Sequence, residues 1–231
     1  MDLEYQLRVE ADEIIIGFPD GVQNCFKKLD FPQLFFEWQS EARIEMFSLM
    51  DQAGATAAKM MPVHLPTMGT ISNDVFPINL ITRGMGLLLK ASILDQVTES
   101  FESARKRGTC QVPEKSLRDR LSAARVFYAD PSNYDPTILG GLEIFEGRTS
   151  QNLAKNPLVA LLFSGAAPKF PSYQFNGVIE VIDGDNPDYR FLLAARESFA
   201  HDAFHVHQVN YPFRYLFHLA EIRDKTPYSR K

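Results

Sequence analysis

Cysteine is almost missing from this chain. Its two cysteines, Cys25 and Cys110, lie far apart and match neither a CxxC pair nor a zinc-ligand spacing. That speaks against a disulfide scaffold or structural zinc and for two reduced thiols in the cytoplasm. An excess of positive charge is missing too: the net charge is −5, and Arg105-Lys106-Arg107 is a short, isolated basic cluster. Neither nucleic acid nor an anionic membrane surface is therefore an expected partner. No apolar stretch approaches the ~18 residues that span a bilayer. The opening MDLEYQLRVEADE is acidic where a secretory signal is basic and then apolar, so a cytoplasmic location is expected. A Walker loop, an HExxH pair, a nucleophile triad motif, a paired-carboxylate motif and internal repeats are all absent, and none of those mechanisms is announced. What is present is a composition of 45% hydrophobic and 23% charged residues over 231 positions. That suffices for a sizeable core in one large domain, or one domain with an appendage.

Along the chain, Leu3 to Gly17 alternates apolar and polar residues and ends in a turn cluster, which predicts a strand or hairpin. Phe31 to Met61 has helical apolar spacing around a single tryptophan, and is expected to serve core packing. Thr67 to Thr82 reads as a β-hairpin turning at Asn73-Asp74, with Pro77 confining its second arm to a sheet edge. After the Gly84-Met85-Gly86 bend, residues 92 to 124 are helix-prone, with Leu94, Val97, Phe101 and Ala104 on one face. Arg105 to Arg107 then sit in a last helical turn, where cations favour the helix dipole, with Gly108 at its end. Ser116 to Ala124 reads as a second helix opened by a Ser116/Asp119 capping pattern. Arg125 to Asp130 reads as a strand, 131 to 136 as a loop, and Ser172 to Asp183 as a strand with a bulge or bend at Gly177. A helix over Asn186 to Phe204 and an aromatic strand over Tyr211 to Ile222 follow. The charged tail Arg223 to Lys231 is expected to be loose unless a partner subunit holds it.

The richest stretch is Gly140 to Gly165, GGLEIFEGRTSQNLAKNPLVALLFSG. It predicts a strand over Leu142 to Phe145, a turn at Glu146-Gly147, a short helix from about Thr149 to Lys155, a stop at Pro157 and a buried strand over Leu158 to Phe163. RTSQNLAKNPLVALLF resembles the signature of the FMN-binding split-barrel proteins, the group that includes pyridoxamine phosphate oxidases and flavin reductase-like proteins. The hairpin TMGTISNDVFPINLIT is similar to that family's opening strand pair, although Asn73-Asp74-Val75 replaces its usual Asp-Gly. The resemblance covers roughly Pro66 to Ile222. Residues 1–65, an N-terminal strand and helical region, lie outside the resemblance and are expected to pack on the barrel; the resemblance implies an α+β fold, an antiparallel split β-barrel over residues 66–231 with a helical insertion at about 84–124. It further implies a homodimer that binds FMN and acts as an oxidoreductase on a small-molecule substrate. Haem binders and cofactor-free regulatory or interaction modules also occur in the family, so both stand as alternatives.

Arg148, Thr149 and Ser150 offer a guanidinium and two hydroxyls beside the unpaired N–H groups of a helix start, a combination suited to a phosphate, with Lys155 further along. The same residues equally describe a capped crossover helix with an exposed arginine. By resemblance, Pro77, Ile78, Asn79 and Leu80 would lie along the flavin ring, Asn79 offering both a donor and an acceptor; a solvent-facing strand residue is its other reading. Glu197, His201 and His205 stack at helical spacing, with His207 just beyond. The end members are ~12 Å apart, so one metal ion or haem could engage only some of them. The main reading carries no metal site, and a haem- or metal-binding protein using His201, His205 and His207 is the alternative. His218 reads as a core histidine, and Tyr128, Tyr134, Tyr173, Tyr211, Phe213 and Tyr215 as core aromatics that could instead wall a flat cofactor.

Overall fold

The structure, a computed structural model, describes residues 2–53, 63–108, 113–166, 170–198 and 211–227. Three short strands, β1 (Gln6–Val9), β2 (Glu13–Gly17) and β3 (Gln23–Lys27), form one antiparallel sheet. Seven more form the main sheet: β4 (Thr67–Ile71), β5 (Ile78–Thr82), β6 (Gly86–Leu89), β7 (Tyr134–Glu143), β8 (Leu158–Ser164), β9 (Ser172–Ile182) and β10 (Phe213–Asp224). Their order is β5-β4-β8-β9-β10-β7-β6, antiparallel throughout.

The two end strands of that sheet are consecutive in sequence. Seven strands about 4.8 Å apart would place the ends of a flat sheet roughly 29 Å from each other. The link from Thr82 to Gly86 reaches at most about 15 Å. The sheet must therefore curl, while β5 and β6 stay unpaired with one another: an antiparallel split barrel, as expected.

Curling creates an inside and an outside. Inside, alternate residues Met68, Leu161, Phe163, Phe175, Ile179, Tyr215 and Phe217 are buried in one cluster. The first turn of α1 (Gln33–Ala53) closes it: Phe35 lies edge-on to Phe163 and Phe175, with centroids 5.0 and 4.9 Å apart, and Phe31 meets Phe175 at 5.0 Å. Such edge-to-face geometry adds to the area term. Outside, Val178 packs with Tyr5, Ile14 and Ile16 of the small sheet. Helix α5 (Pro187–Glu197) covers the outside of β6 and β7, and α2 (Ala91–Gly108) packs on α5 and on α3 (Pro113–Tyr128), which also meets α1. There Leu192 of α5 sits so close to Gly86 and Gly140 that an added Cβ would lie 2.9 and 2.7 Å from it. The remaining helix, α4 (Arg148–Lys155), crosses from β7 to β8.

The hairpin, the crossover helix, the strand after it and β9 lie where the sequence places them, whereas the strand read over Leu142 to Phe145 is the end of β7, which stops at Glu143 and leaves Phe145 exposed. The β5 arm is a sheet edge, with Pro77 just ahead of it. Three other readings change. Arg125 to Tyr128 is the end of α3, not a strand: its β-branched and aromatic residues extend a helical stripe of buried Leu121, Ala124 and Phe127, leaving Val126 exposed. Helix α3 also begins at Pro113, a good first-turn residue, so Ser116 lies inside the helix rather than capping it. The insertion's helices thus run from 91 to 128, and β7 starts at Tyr134 in the segment read as loop. Strand β3 was not foreseen. Near Gly177 the register shifts between Leu219 and Glu221, so the extra residue of the bulge, Ala220, is on the partner strand β10. Gly177 itself is required there, because a Cβ would stand 2.1 Å from the His218 carbonyl oxygen. Among the described residues no helix is long and apolar enough to cross a membrane.

Phe35→Ala should lower unfolding free energy by about 3–5 kcal/mol, and Gly177→Ala by at least about 2 kcal/mol through overpacking against backbone. Urea denaturation measures both. A loss below ~1 kcal/mol for Phe35→Ala would remove the ring from the closed core.

Candidate functional site

Arg148, Thr149, Ser150 and Asn79, from two separate sequence segments, come together where α4 meets the β4–β5 hairpin. Asn79 and Thr70 point to the inner side of the hairpin, facing α4. The Asn79 amide donates to Thr149 Oγ1 at 3.2 Å and to Thr70 Oγ1 at 3.4 Å, and Asn152 Nδ2 donates to Thr70 Oγ1 at 2.9 Å. Thr70, Thr149 and Asn152 are buried, so this network satisfies groups that would otherwise be costly. Thr70 and Asn152 were missed as members. Asn152 stands in the NL pair of the signature, but nothing in a linear sequence shows that it meets a threonine eighty-two residues earlier.

At the head of α4, the Gly147 N–H donates to Ser150 Oγ at 2.9 Å and that hydroxyl donates back to the Gly147 carbonyl at 2.7 Å. Ser150 is thus occupied as a cap. The first ladder bond, Gln151 N–H to Gly147 O at 3.1 Å, leaves the N–H groups of Arg148, Thr149 and Ser150 ahead of the ladder. Arg148 Nη2 pairs with Asp74 Oδ2 at 2.7 Å across an exposed gap to the hairpin tip. Lys155 is exposed at the far end of α4, about 10 Å along the axis, and does not join the group. Pro77 is exposed beside it, its carbonyl accepting from the Ser72 N–H at 2.7 Å.

The outer face of the same hairpin is apolar and uncovered. Register places Ile71 opposite Ile78, and Leu80 beside Gly69 and Ala160. Ile71, Ile78, Leu80 and Leu162 are exposed, and Val75 and Phe76 at the tip are 91% and 79% exposed. Edge strand β5 thus lies between this face and the polar network.

A second concave region lies behind the seam of the barrel, a cavity of about 310 Å³ between α1, α5, the 83–86 link and β7. On its wall, Arg83 Nε donates to Glu143 Oε2 at 3.1 Å, with Nη2 2.8 Å from Oε1. Burial holds the Glu143 carboxyl above its usual range although Arg83 pulls the other way. Burial, and then Glu143, likewise push Tyr215 up.

His201, His205 and His207 lie outside the described residues, as does Cys110. Glu197 is engaged by Arg105, which accounts for one member of the basic cluster. Among the described residues no group of three or more His, Cys, Asp or Glu side chains is placed to hold a metal ion. Cys25 is a free, exposed thiol. His218 is buried, its Nε2 2.7 Å from Glu180 Oε2. Tyr134, Tyr173, Tyr211, Phe213 and Tyr215 are buried, and Tyr128 lines the cavity.

Comparison with protein-family models finds no match, and none is found among curated protein sequences. Among solved structures, HupZ of Group A Streptococcus is similar at 13% identity and a TM-score of 0.39, over 79% of this chain and 93% of that one. A Listeria innocua protein provisionally named pyridoxamine 5′-phosphate oxidase is similar at 10% identity and a TM-score of 0.39, over 78% and 95%. HutZ of Vibrio cholerae, a haem storage protein, is similar at 11% identity and a TM-score of 0.33, over 79% and 92%. None of these likenesses transfers a residue role to this chain.

Asp188, in the first turn of α5, has a carboxyl pushed up to about 6, by burial first and then by the carboxylates of Asp135 and Glu180. A carboxyl that titrates higher folded than unfolded favours the folded chain when protonated. Its stabilising contribution is present below about pH 4, the unfolded value, and is lost as the pH rises through about 6. Asp188→Asn should therefore raise stability at neutral pH by on the order of 1–2 kcal/mol and flatten the thermal melting profile between those limits. An unaltered pH profile would show that Asp188 does not titrate there.

Proposed function

We propose that this chain is a homodimeric, FMN-binding oxidoreductase that acts on a small molecule. The observation that supports this reading is the setting of edge strand β5. On one side it has exposed Ile78 and Leu80, and on the other the Asn79–Thr149 network. Near its start lies Arg148, at the head of α4 and paired with Asp74 of the hairpin tip, beside N–H groups that precede the helix ladder. A ligand matching all three is planar and apolar, carries a heterocyclic edge that pairs with an unpaired strand backbone, and ends in an anion. Flavin mononucleotide has that form.

Arg148, the N–H groups at the head of α4 and the Thr149 hydroxyl would hold the phosphate. Asp74 competes for the same guanidinium until a doubly charged phosphate displaces it. Asn79 and the β5 backbone would hold the ring. Bound FMN supplies the hydride and electron transfer; the protein contributes position and exclusion of water. Ser150 serves the fold as a cap, and Lys155 and the Pro77 side chain stand outside this group.

The uncovered face formed by Ile71, Ile78, Leu80 and Leu162 with the hairpin tip is unusual for a monomer. A second copy packing on it about a two-fold axis would cover it and close over β5.

Purified protein mixed with FMN should retain the visible flavin absorption through gel filtration and elute as a dimer. Arg148→Ala should weaken FMN by about 1.5–3 kcal/mol, and Asp74→Asn should tighten it by releasing the guanidinium. Leu80→Asp should yield monomer. Protein that takes up no flavin would overturn the reading, and a Soret band would replace flavin with haem.

A further inference from the structure

The cavity behind the seam carries an arginine that no described carboxylate neutralises. Arg43, on α1, is 3% exposed and lines this cavity. Its Nη1 donates to the Gln39 carbonyl at 3.3 Å and also meets Gln39 Oε1, and its guanidinium lies 5.2 Å from the centre of the Tyr128 ring. Every one of these partners is uncharged. Its Nε and Nη2 donate to no described residue, and no described carboxylate pairs with it. Glu143, which is not a lining residue, is the ion-pair partner of Arg83, whose Nε donates to Oε2.

A guanidinium withdrawn from water without an anion is costly, and a neutral amide and a ring face offset only part of that cost. Much of the lining is apolar, from Met46, Phe47, Leu65, Met85, Leu142 and Leu192, and the other charged groups on it, Arg83 and Arg196, are cations, with no carboxylate among the lining residues. Gly84 belongs to the floor, and a Cβ there would have only Leu65 within 4 Å, at 3.8 Å. About 310 Å³ falls at the small end of ligand pockets, which characteristically combine an apolar wall with a few fixed polar groups.

From this we infer a second binding site, for a small organic carboxylate with an apolar body. The carboxylate accepts from Arg43 Nε and Nη2 in a two-point, charge-assisted pair. The body fills the apolar space between α1, α5 and β7. This site is built by α1, α5 and the seam, whereas Arg148 and Asn79 sit at α4 and the β4–β5 hairpin, so it is independent of the flavin reading.

The test is isothermal titration of the full chain with phenylacetate, cinnamate and octanoate, each beside its primary amide. At least one acid should bind, its amide should bind roughly tenfold or more weakly, and Arg43→Gln should weaken the acid roughly ten- to a hundredfold. Arg43→Lys should restore only part, since a lysine cannot present the fork. Gly84→Leu, which fills the floor and keeps Arg43, should abolish binding and so serves if Arg43→Gln does not fold. Arg148→Ala should leave acid binding unchanged. Equal binding of acid and amide, no acid bound across the panel, or full affinity in Gly84→Leu would each overturn the inference.

Discussion

The three residues that join Thr82 to Gly86 hold the two ends of a seven-stranded sheet within reach of each other, and most of the architecture follows from that tether. A sheet forced to curl needs a filling, which the aromatic first turn of α1 and the inward residues of β8, β9 and β10 supply. It also needs covers for its outer surface. The small N-terminal sheet covers β9, and α5, backed by α2 of the helical insertion, covers β6 and β7. The third stretch of outer surface, on β5, β4 and β8, has no cover among the described residues. The seam stays open because the tether brings the ends together without pairing them, and the cavity lies behind it.

Two arginines then stand in opposite electrostatic situations. Arg148 is more than half exposed and shares its charge with Asp74 in water, where such a pair is weak and exchangeable. Arg43 is enclosed, and its charge is felt across a low-dielectric space with little to screen it. The first suits a ligand that arrives with its own high charge and displaces a resident carboxylate. The second suits a ligand with a single charge and an apolar remainder, because desolvation of that remainder assists entry.

Local order was legible in the sequence wherever one periodicity governed a whole element. The hairpin, α4, β8 and β9 each carry a clean alternation or a helical stripe between glycine and proline stops. Legibility failed where two signals compete. Arg125 to Tyr128 has strand composition, yet its contacts are those of a helix whose preceding turns already face the core. Strand β3 is too short and polar to stand out before its partners are known. Within the candidate site, Arg148, Thr149 and Asn79 could be named from residue type and resemblance, and they do converge. Arg43 could not, because a lone arginine within an apolar helix reads as a solvent-facing residue. Only the packing of α1 against α3 shows that it points inward, and only its partners, Gln39 and Tyr128, show that no described carboxylate supplies its counter-charge.

The bulge on β10 sets a different kind of limit. Tyr215, Phe217 and Leu219 face the core from odd positions, and after Ala220 the inward residue opposite Phe175 is the even-numbered Ile222. The strand is read in two frames, and Ala220 is the frameshift. Many substitutions there would leave the pattern intact. Ala220 is the surplus residue: without it Leu219 and Ile222 would fall into one continuous alternation with the same residues inward, so the bulge is what lets this strand carry one residue more than its partner without turning its far end inside out.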